Sequence, residues 1–300
     1  MNTSTNAAEK SALNLASPVN LTSAKYGKAL EIGSGFTAMT FKEKDYSGSM
    51  DPLVMVDHYR MTEPTFGAHP HAGLSAVSVL FEDSEGKFHN RDSLGNDFDL
   101  MPGDLYWLNA GSGVIHDESP RQGAKIHGLQ VFVNLPSADK KSEPSSLHVR
   151  AQDMPVYEEQ GSRIRIVLGE SNDIYGQQAP ALPMTILDGR IDSRSCFAHQ
   201  LNGGENAWLY VIKGELKLTI SGQEINLLAG QSIAVSSSNE EFVNTIRLSN
   251  SVHDPAHFTL FAGKPIAEAF VQKGPFVMNT EVEIAQVEAD FAAGRLGYLK

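Results

Sequence analysis

The chain is short of most of what would place it in a membrane, in a secreted scaffold or on nucleic acid. It has one cysteine, Cys196, among 300 residues, so no internal disulfide can staple it, and a lone thiol fits a reducing cytoplasm. No apolar run approaches the ~20 residues that cross a bilayer as a helix. The first residues lack the charged-then-apolar order of a signal peptide. Basic residues are scarce: 24 Lys and Arg against 36 Asp and Glu leave a net charge of −12, which repels nucleic-acid phosphates. Neither a membrane nor nucleic acid is therefore expected as a partner. Helical periodicity is almost missing until the last twenty residues, which argues against an all-α fold.

What is present is histidine in a pattern. Ten His occur, so a single His-x-His pair carries little weight. Here His69 and His71 flank Pro70, and 45 residues after His71 the chain supplies His116 and Glu118. Each pair is i, i+2, and on an extended strand such residues point to the same face. Two antiparallel strands carrying these dyads can aim four ligands at one point. Three neutral imidazoles and a carboxylate suit one divalent first-row metal, with room for water, oxygen or substrate. Fe(II) is the metal expected, although Zn, Ni, Cu or Mn could use the same donors. His58 is a further candidate, but nothing at the right spacing partners it, and a hydrogen-bonded histidine at a strand end is the simpler reading. His199, His253 and His257 are scattered and read as ordinary polar residues.

The remaining pattern is that of an antiparallel β-protein. Residues 36–41, 53–56, 74–81, 105–108 and 125–135 read as short strands between Gly- and Pro-containing turns, among them a type II turn at Met101-Pro102-Gly103-Asp104. Residues 1–25 are rich in Ser, Thr, Asn and Ala and read as a mobile tail; residues 26–135 make a first barrel carrying the metal site. Residues 136–160, with three prolines, read as a linker, and residues 161–300 as a second, metal-free barrel with a short C-terminal helix. The clearest hairpin is expected at Trp208–Ile212, Lys213-Gly214 and Glu215–Ile220. Leu228-Ala229-Gly230-Gln231 echoes the first half's Pro-Gly-Asp turn, so the chain reads as a duplicated barrel. Cys196, inside an apolar strand, is expected to be a buried small hydrophobe. Thr280-Glu281-Val282-Glu283 is a capping box opening a helix that Gly294 stops.

Together, His69-Pro70-His71, Arg91-Asp92-Ser93-Leu94-Gly95-Asn96, Pro102-Gly103-Asp104, Ala110-Gly111-Ser112-Gly113, His116, Glu118 and the later Gly274-Pro275-Phe276-Val277-Met278-Asn279-Thr280 resemble the pirin family of the cupin superfamily over roughly residues 30 to 297. The resemblance implies an all-β bicupin of two tandem jelly-roll barrels, with His69, His71, His116 and Glu118 as metal ligands. It also implies one of two functions. One is a quercetinase-like flavonol 2,3- or 2,4-dioxygenase, which opens an enolisable aromatic substrate with O2, Glu118 serving as fourth ligand or as catalytic base. The other is an iron-binding, redox-responsive regulator acting through a protein partner. A roomy cavity above the metal would favour the enzyme. The sequence departs from the family at Ala72 and Ser75, where many members have Arg and Glu, and at His89-Asn90-Arg91, where His commonly adjoins Arg-Asp-Ser. His89 is therefore expected beside the site or at the surface, and the pocket wall is expected to differ.

Overall fold

A computed structural model describes residues 19–237 and 239–299. In chain order the strands are β1 Val19–Leu21, β2 Lys25–Tyr26, β3 Lys28–Ile32, β4 Phe36–Lys42, β5 Leu53–Met61, β6 His69–His71, β7 Leu74–Leu80, β8 Phe88–Asp92, β9 Asp97–Leu100, β10 Leu105–Asn109, β11 Val114–Pro120, β12 Ile126–Asn134, β13 Ser145–Val149 and β14 Val156–Glu159. They continue as β15 Ser162–Leu168, β16 Glu170–Ser171, β17 Ile174–Tyr175, β18 Met184–Ile191, β19 Cys196–Leu201, β20 Asn206–Lys213, β21 Glu215–Ile220, β22 Gln223–Leu228, β23 Gln231–Ser237, β24 Asn244–Ser249, β25 Ala256–Gly263, β26 Val271–Lys273 and β27 Phe276–Met278, before helix α1 Glu281–Ala292.

These strands make the two antiparallel jelly-roll barrels the sequence implies. In the first, the sheet β13-β10-β7-β12-β5-β4-β3 faces the sheet β6-β11-β8-β9. In the second, β1-β23-β20-β25-β18-β15-β14 faces β19-β24-β21-β22, with β2 also on β23. The two sets share one connectivity, so β6 corresponds to β19 and β11 to β24. The outer faces of the two large sheets form the inter-barrel core, where Phe41, Val77, Trp107 and Val131 meet Ile186, Trp208, Tyr210 and Phe261. Buried apolar area of this kind is the main stabilising term.

Several polar groups cross the same seam with partners, as burial favours, although the indole nitrogens of Trp107 and Trp208 have none among the described residues. Arg165 holds Asp188 through two nitrogens (3.0 and 2.7 Å) and donates to Gly103 O of the other barrel at 2.8 Å. Tyr210 O–H donates to His58 Nδ1 (2.6 Å), His58 Nε2–H to His127 Nε2 (2.7 Å), and His127 Nδ1–H to Asp83 (2.7 Å). That assignment of ring protons is the one in which every link has one donor and one acceptor. His58 is thus a structural histidine, as its isolation in the sequence suggests. Burial, then the neighbouring His127, pushes its pKa down to about 3.

Each barrel is completed by chain from elsewhere. β1 and β2, within the stretch read as a tail, pair with β23 of the second barrel; the first eighteen residues of that stretch lie outside the described residues. β13, within the stretch read as a linker, forms the edge of the first barrel on β10. The segment after β25 returns to the first barrel. There Ala72 meets Phe276, Met278, Ile284, Val287 and Leu296, and Ala72 bridges Phe276 in parallel. Helix α1 begins with the expected capping box between Thr280 and Glu283. Buried Lys140 fastens this segment by donating to Gly73 O (2.8 Å), Val277 O (3.0 Å) and Asn134 Oδ1. Gly73, at φ +72°, is required twice over: its conformation favours glycine, and a Cβ would lie 2.0 Å from Val277 O.

Two expectations fail. The strands expected to form a hairpin, β20 and β21, belong to different sheets. Gly214 turns a corner between the two layers, packed against Pro255 and Ala256, and alternation alone cannot separate a corner from a hairpin. Cys196 is exposed. It starts β19, whose alternation turns Phe197, His199 and Leu201 inward and leaves Cys196 and Gln200 outward.

Candidate metal centre

β6 and β11 pair antiparallel, with His116 opposite His69 and Val114 opposite His71. The i, i+2 rule then directs three imidazoles inward, and they meet. His116 Nε2 lies 3.0 Å from both His71 Nε2 and His69 Nε2, and the donor atoms all fall within 4.8 Å of one another. Two outer nitrogens are fixed by backbone: His69 Nδ1–H donates to Gly67 O (2.8 Å) and His71 Nδ1–H to Pro275 O (3.3 Å). This leaves the Nε2 lone pairs of those rings pointing inward, the orientation that outer partners give to metal-binding histidines. Burial holds His71 at a pKa of about 3, and His116 well below the ordinary histidine value, so both are neutral donors. Lone pairs 3.0 Å apart repel unless a cation, or a proton carried by one of the rings, sits between them. That spacing is also what two neighbouring ligands have at about 2.1 Å from one ion. The donor set therefore fits a bound metal.

Glu118 stands outside this cluster. β6 reaches only as far as His116, while on its other edge β11 pairs with β8, Glu118 lying opposite Asn90. Its two oxygens lie 2.7 and 2.9 Å from the Ser78 hydroxyl, which is also 3.0 Å from Gln130 Oε1. Burial raises the Glu118 pKa to about 7. His89 lies on the outward face of β8, bound to Asp97 at 2.8 Å and away from the cavity lining, the surface position that was one of its two expected places.

A cavity of about 1090 Å³ opens from the triad. Phe36, Phe66, Phe88 and Phe132 supply aromatic wall, Val54, Met55 and Met61 aliphatic wall, and Asp57, Tyr59, Glu118 and Gln130 polar groups. Glu268, Phe270, Gln272 and Pro275 of the returning segment close one side. The sequence did not point to Ser78, Gln130, Asp57 or Tyr59, although their places on alternating strands carried the signal. Pro275 could not be placed from sequence, because its contact with His71 spans 204 residues.

Known proteins resemble this chain in sequence and in fold. The Pirin family model matches residues 34–133 and the Pirin C-terminal cupin domain model residues 186–297. Human Pirin is 29% identical over 251 residues, covering 83% of this chain and 84% of its own. A Pseudomonas aeruginosa protein provisionally named a quercetin 2,3-dioxygenase is 33% identical over 259 residues, covering 82% and 87%. Among solved structures, a quercetin 2,3-dioxygenase from Acinetobacter baumannii superposes with TM-score 0.80 at 24% identity, covering 93% of this chain and 98% of that one. A bacterial pirin from Escherichia coli in complex with nickel(II) superposes with TM-score 0.62 at 18% identity, covering 83% and 100%.

Proposed function

Because the chain belongs to the pirin family, we propose that it is a metal-dependent dioxygenase of the quercetin 2,3- or 2,4-dioxygenase type, opening an enolisable aromatic ring with O2. The observation that carries this reading is the roomy, largely apolar cavity of about 1090 Å³ ending at three converged imidazoles. A protein working only through a surface partner needs no such chamber, whereas a planar substrate does. His69, His71 and His116 would hold the ion, Fe(II) being the proposed metal. When bound, the ion supplies Lewis acidity and a redox-active centre for O2 chemistry.

The chain's own residues do the rest. The phenylalanine wall excludes water and clamps a flat ring. Glu118 lines the cavity outside the cluster of donor atoms, and we assign it the role of base, accepting the proton of the substrate's acidic hydroxyl, in preference to that of a fourth ligand. Ser78 supports it in both states. Toward the carboxylate the hydroxyl donates; once Glu118 carries the proton, its O–H can donate to Ser78 Oγ while Ser78 turns its own hydrogen to Gln130 Oε1. The test is O2 uptake and carbon monoxide release by Fe(II)-loaded protein given quercetin. Turnover with quercetin that disappears in the His69→Ala/His71→Ala variant supports the reading. If protein loaded in turn with each first-row metal leaves O2 unconsumed, the reading is wrong.

A further inference from the structure

Two polar groups in the cavity have no work in the scheme above. Asp57 and Tyr59 are i, i+2 on β5, so they share a face, and both line the cavity. They are 9% and 3% exposed. Among the described residues, neither Asp57 Oδ1 nor the Tyr59 hydroxyl has a hydrogen-bond partner. Buried polar atoms are nearly always paired, and leaving two on one strand face unpaired is costly. The two atoms are complementary toward one kind of guest, since the tyrosine hydroxyl donates and the aspartate oxygen accepts. A phenolic O–H does the reverse at both.

We propose that Asp57 and Tyr59 form a second anchoring subsite that takes a pendant-ring hydroxyl of a flavonol-like polyphenol whose chelating edge faces the histidine triad. This rests on the dioxygenase reading and narrows its substrate to molecules bearing a hydroxyl on the pendant ring, away from the metal-facing oxygens. The surroundings suit such a guest. Phe36 stacks on Tyr59 (centroids 5.8 Å apart, 17° between planes), and Phe88 lies beyond at 6.4 Å. Asp57 is opposite Gln130, and Gln130 is opposite Ser78, in adjacent strands. A polar seam thus runs from Asp57 through Gln130 and Ser78 to Glu118, so both ends of a flat ligand meet oxygen-binding groups while its faces meet apolar wall. Burial raises the pKa of Tyr59 well above the phenol range and that of Asp57 above the usual carboxylate range, which keeps the tyrosine a donor.

The test compares quercetin with galangin, which lacks the hydroxyls on the outer ring. Dissociation constants are measured by calorimetry on Fe(II)-loaded protein without O2, with metal content checked for every variant. Wild type should bind quercetin about 10-fold more tightly than galangin, the scale of one hydrogen bond gained. In Tyr59→Phe and in Asp57→Leu that ratio should fall to about 3-fold or less, with galangin affinity nearly unchanged. Equal affinities in wild type, no binding of either flavonol, or a full ratio in both variants overturns the subsite. The outcome is separable from the fate of the enzyme reading. Selective binding without O2 uptake keeps the subsite and removes the dioxygenase, while turnover without selectivity does the converse.

Discussion

The two barrels share one connectivity and spend their interiors differently. On β6 and β11 of the first, His69, His71 and His116 point inward around a chamber. On the corresponding β19 and β24 of the second, the inward positions are Phe197, His199 and Leu201 against Asn244, Ile246 and Leu248. Most of these residues join a closed core with Ile166, Leu187, Val211 and Phe258. His199 is the one histidine left there, and it is turned to Ser171 at 3.0 Å. The difference shows how little separates a binding barrel from a supporting one: the strands are held by the same ladders, and the inward-facing residues decide whether the middle is packed or empty. The empty barrel gives up core packing, and chain from the far end of the sequence compensates by closing over it.

The sharpest way to break this contrast is at the ligands. One metal ion per chain is expected by elemental analysis, and His69→Ala/His71→Ala should take it to none. His199→Ala should leave it at one, because the second barrel places no other imidazole beside it. Two ions per chain in wild type would mean that the barrels are more alike than their interiors suggest. The next largest effect is expected at Glu118. Glu118→Gln keeps an oxygen facing Ser78 but cannot accept a proton, so turnover should fall roughly 10²- to 10⁴-fold with metal retained. Turnover at the wild-type rate would remove the base role.

A third comparison weighs the returning segment. Gly73→Ala puts a methyl 2.0 Å from Val277 O and should cost about 3 kcal/mol or more in denaturant unfolding. It should also loosen Pro275 from His71, lowering metal affinity by roughly 10- to 100-fold. Gly222→Ala in the second barrel, with nothing within 4 Å of its Cβ, carries only backbone strain, about 1 kcal/mol, and should not touch the metal. Equal losses at the two glycines would show that the segment does not brace the site.

Much of this was legible in the sequence because it depends on local periodicity. The period of two on β6 and β11 directs three histidines to one side, and the Pro102-Gly103 turn appears with Gly103 at φ +86°. The capping box likewise forms where its residues predict. What was hidden depends on partners distant in the chain. Whether β20 and β21 pair or part at a corner is decided by Ala256, over 40 residues from Gly214. Glu118 is held by Ser78 of β7, forty residues earlier in the chain. Pro275 and Lys140 become part of the site's surroundings only because the chain end folds back across the first barrel.

The smallest expected effect lies in the seam between the barrels, where His58 links Tyr210 of one to His127 of the other. Its pKa is held down near 3 by burial, then by His127, against an ordinary histidine value of about 6.5. The unfolded chain therefore takes up a proton at His58 as pH falls through about 6.5, while the folded chain does not. Stability from this residue is fully present above that pH and is lost progressively toward pH 3, amounting to at most about 2 kcal/mol between pH 6.5 and 5. Asp188, whose pKa lies below the usual carboxylate range because Arg165 and His257 outweigh its burial, is lost in the same direction but at lower pH, so the window from 6.5 to 5 belongs to histidines and to Glu118, which burial raises to about 7 and which therefore adds stability as pH falls. His71 and His116 fall in that window too, which is why the comparison must be made between variants rather than on wild type alone. His58→Phe should be less stable throughout, since it strands the Tyr210 hydroxyl and His127 Nε2. Its unfolding free energy should nevertheless fall less steeply than that of wild type from pH 6.5 to 5. Parallel curves would mean that His58 protonates in the folded protein at its ordinary pH, and that the seam is wetter than its packing implies.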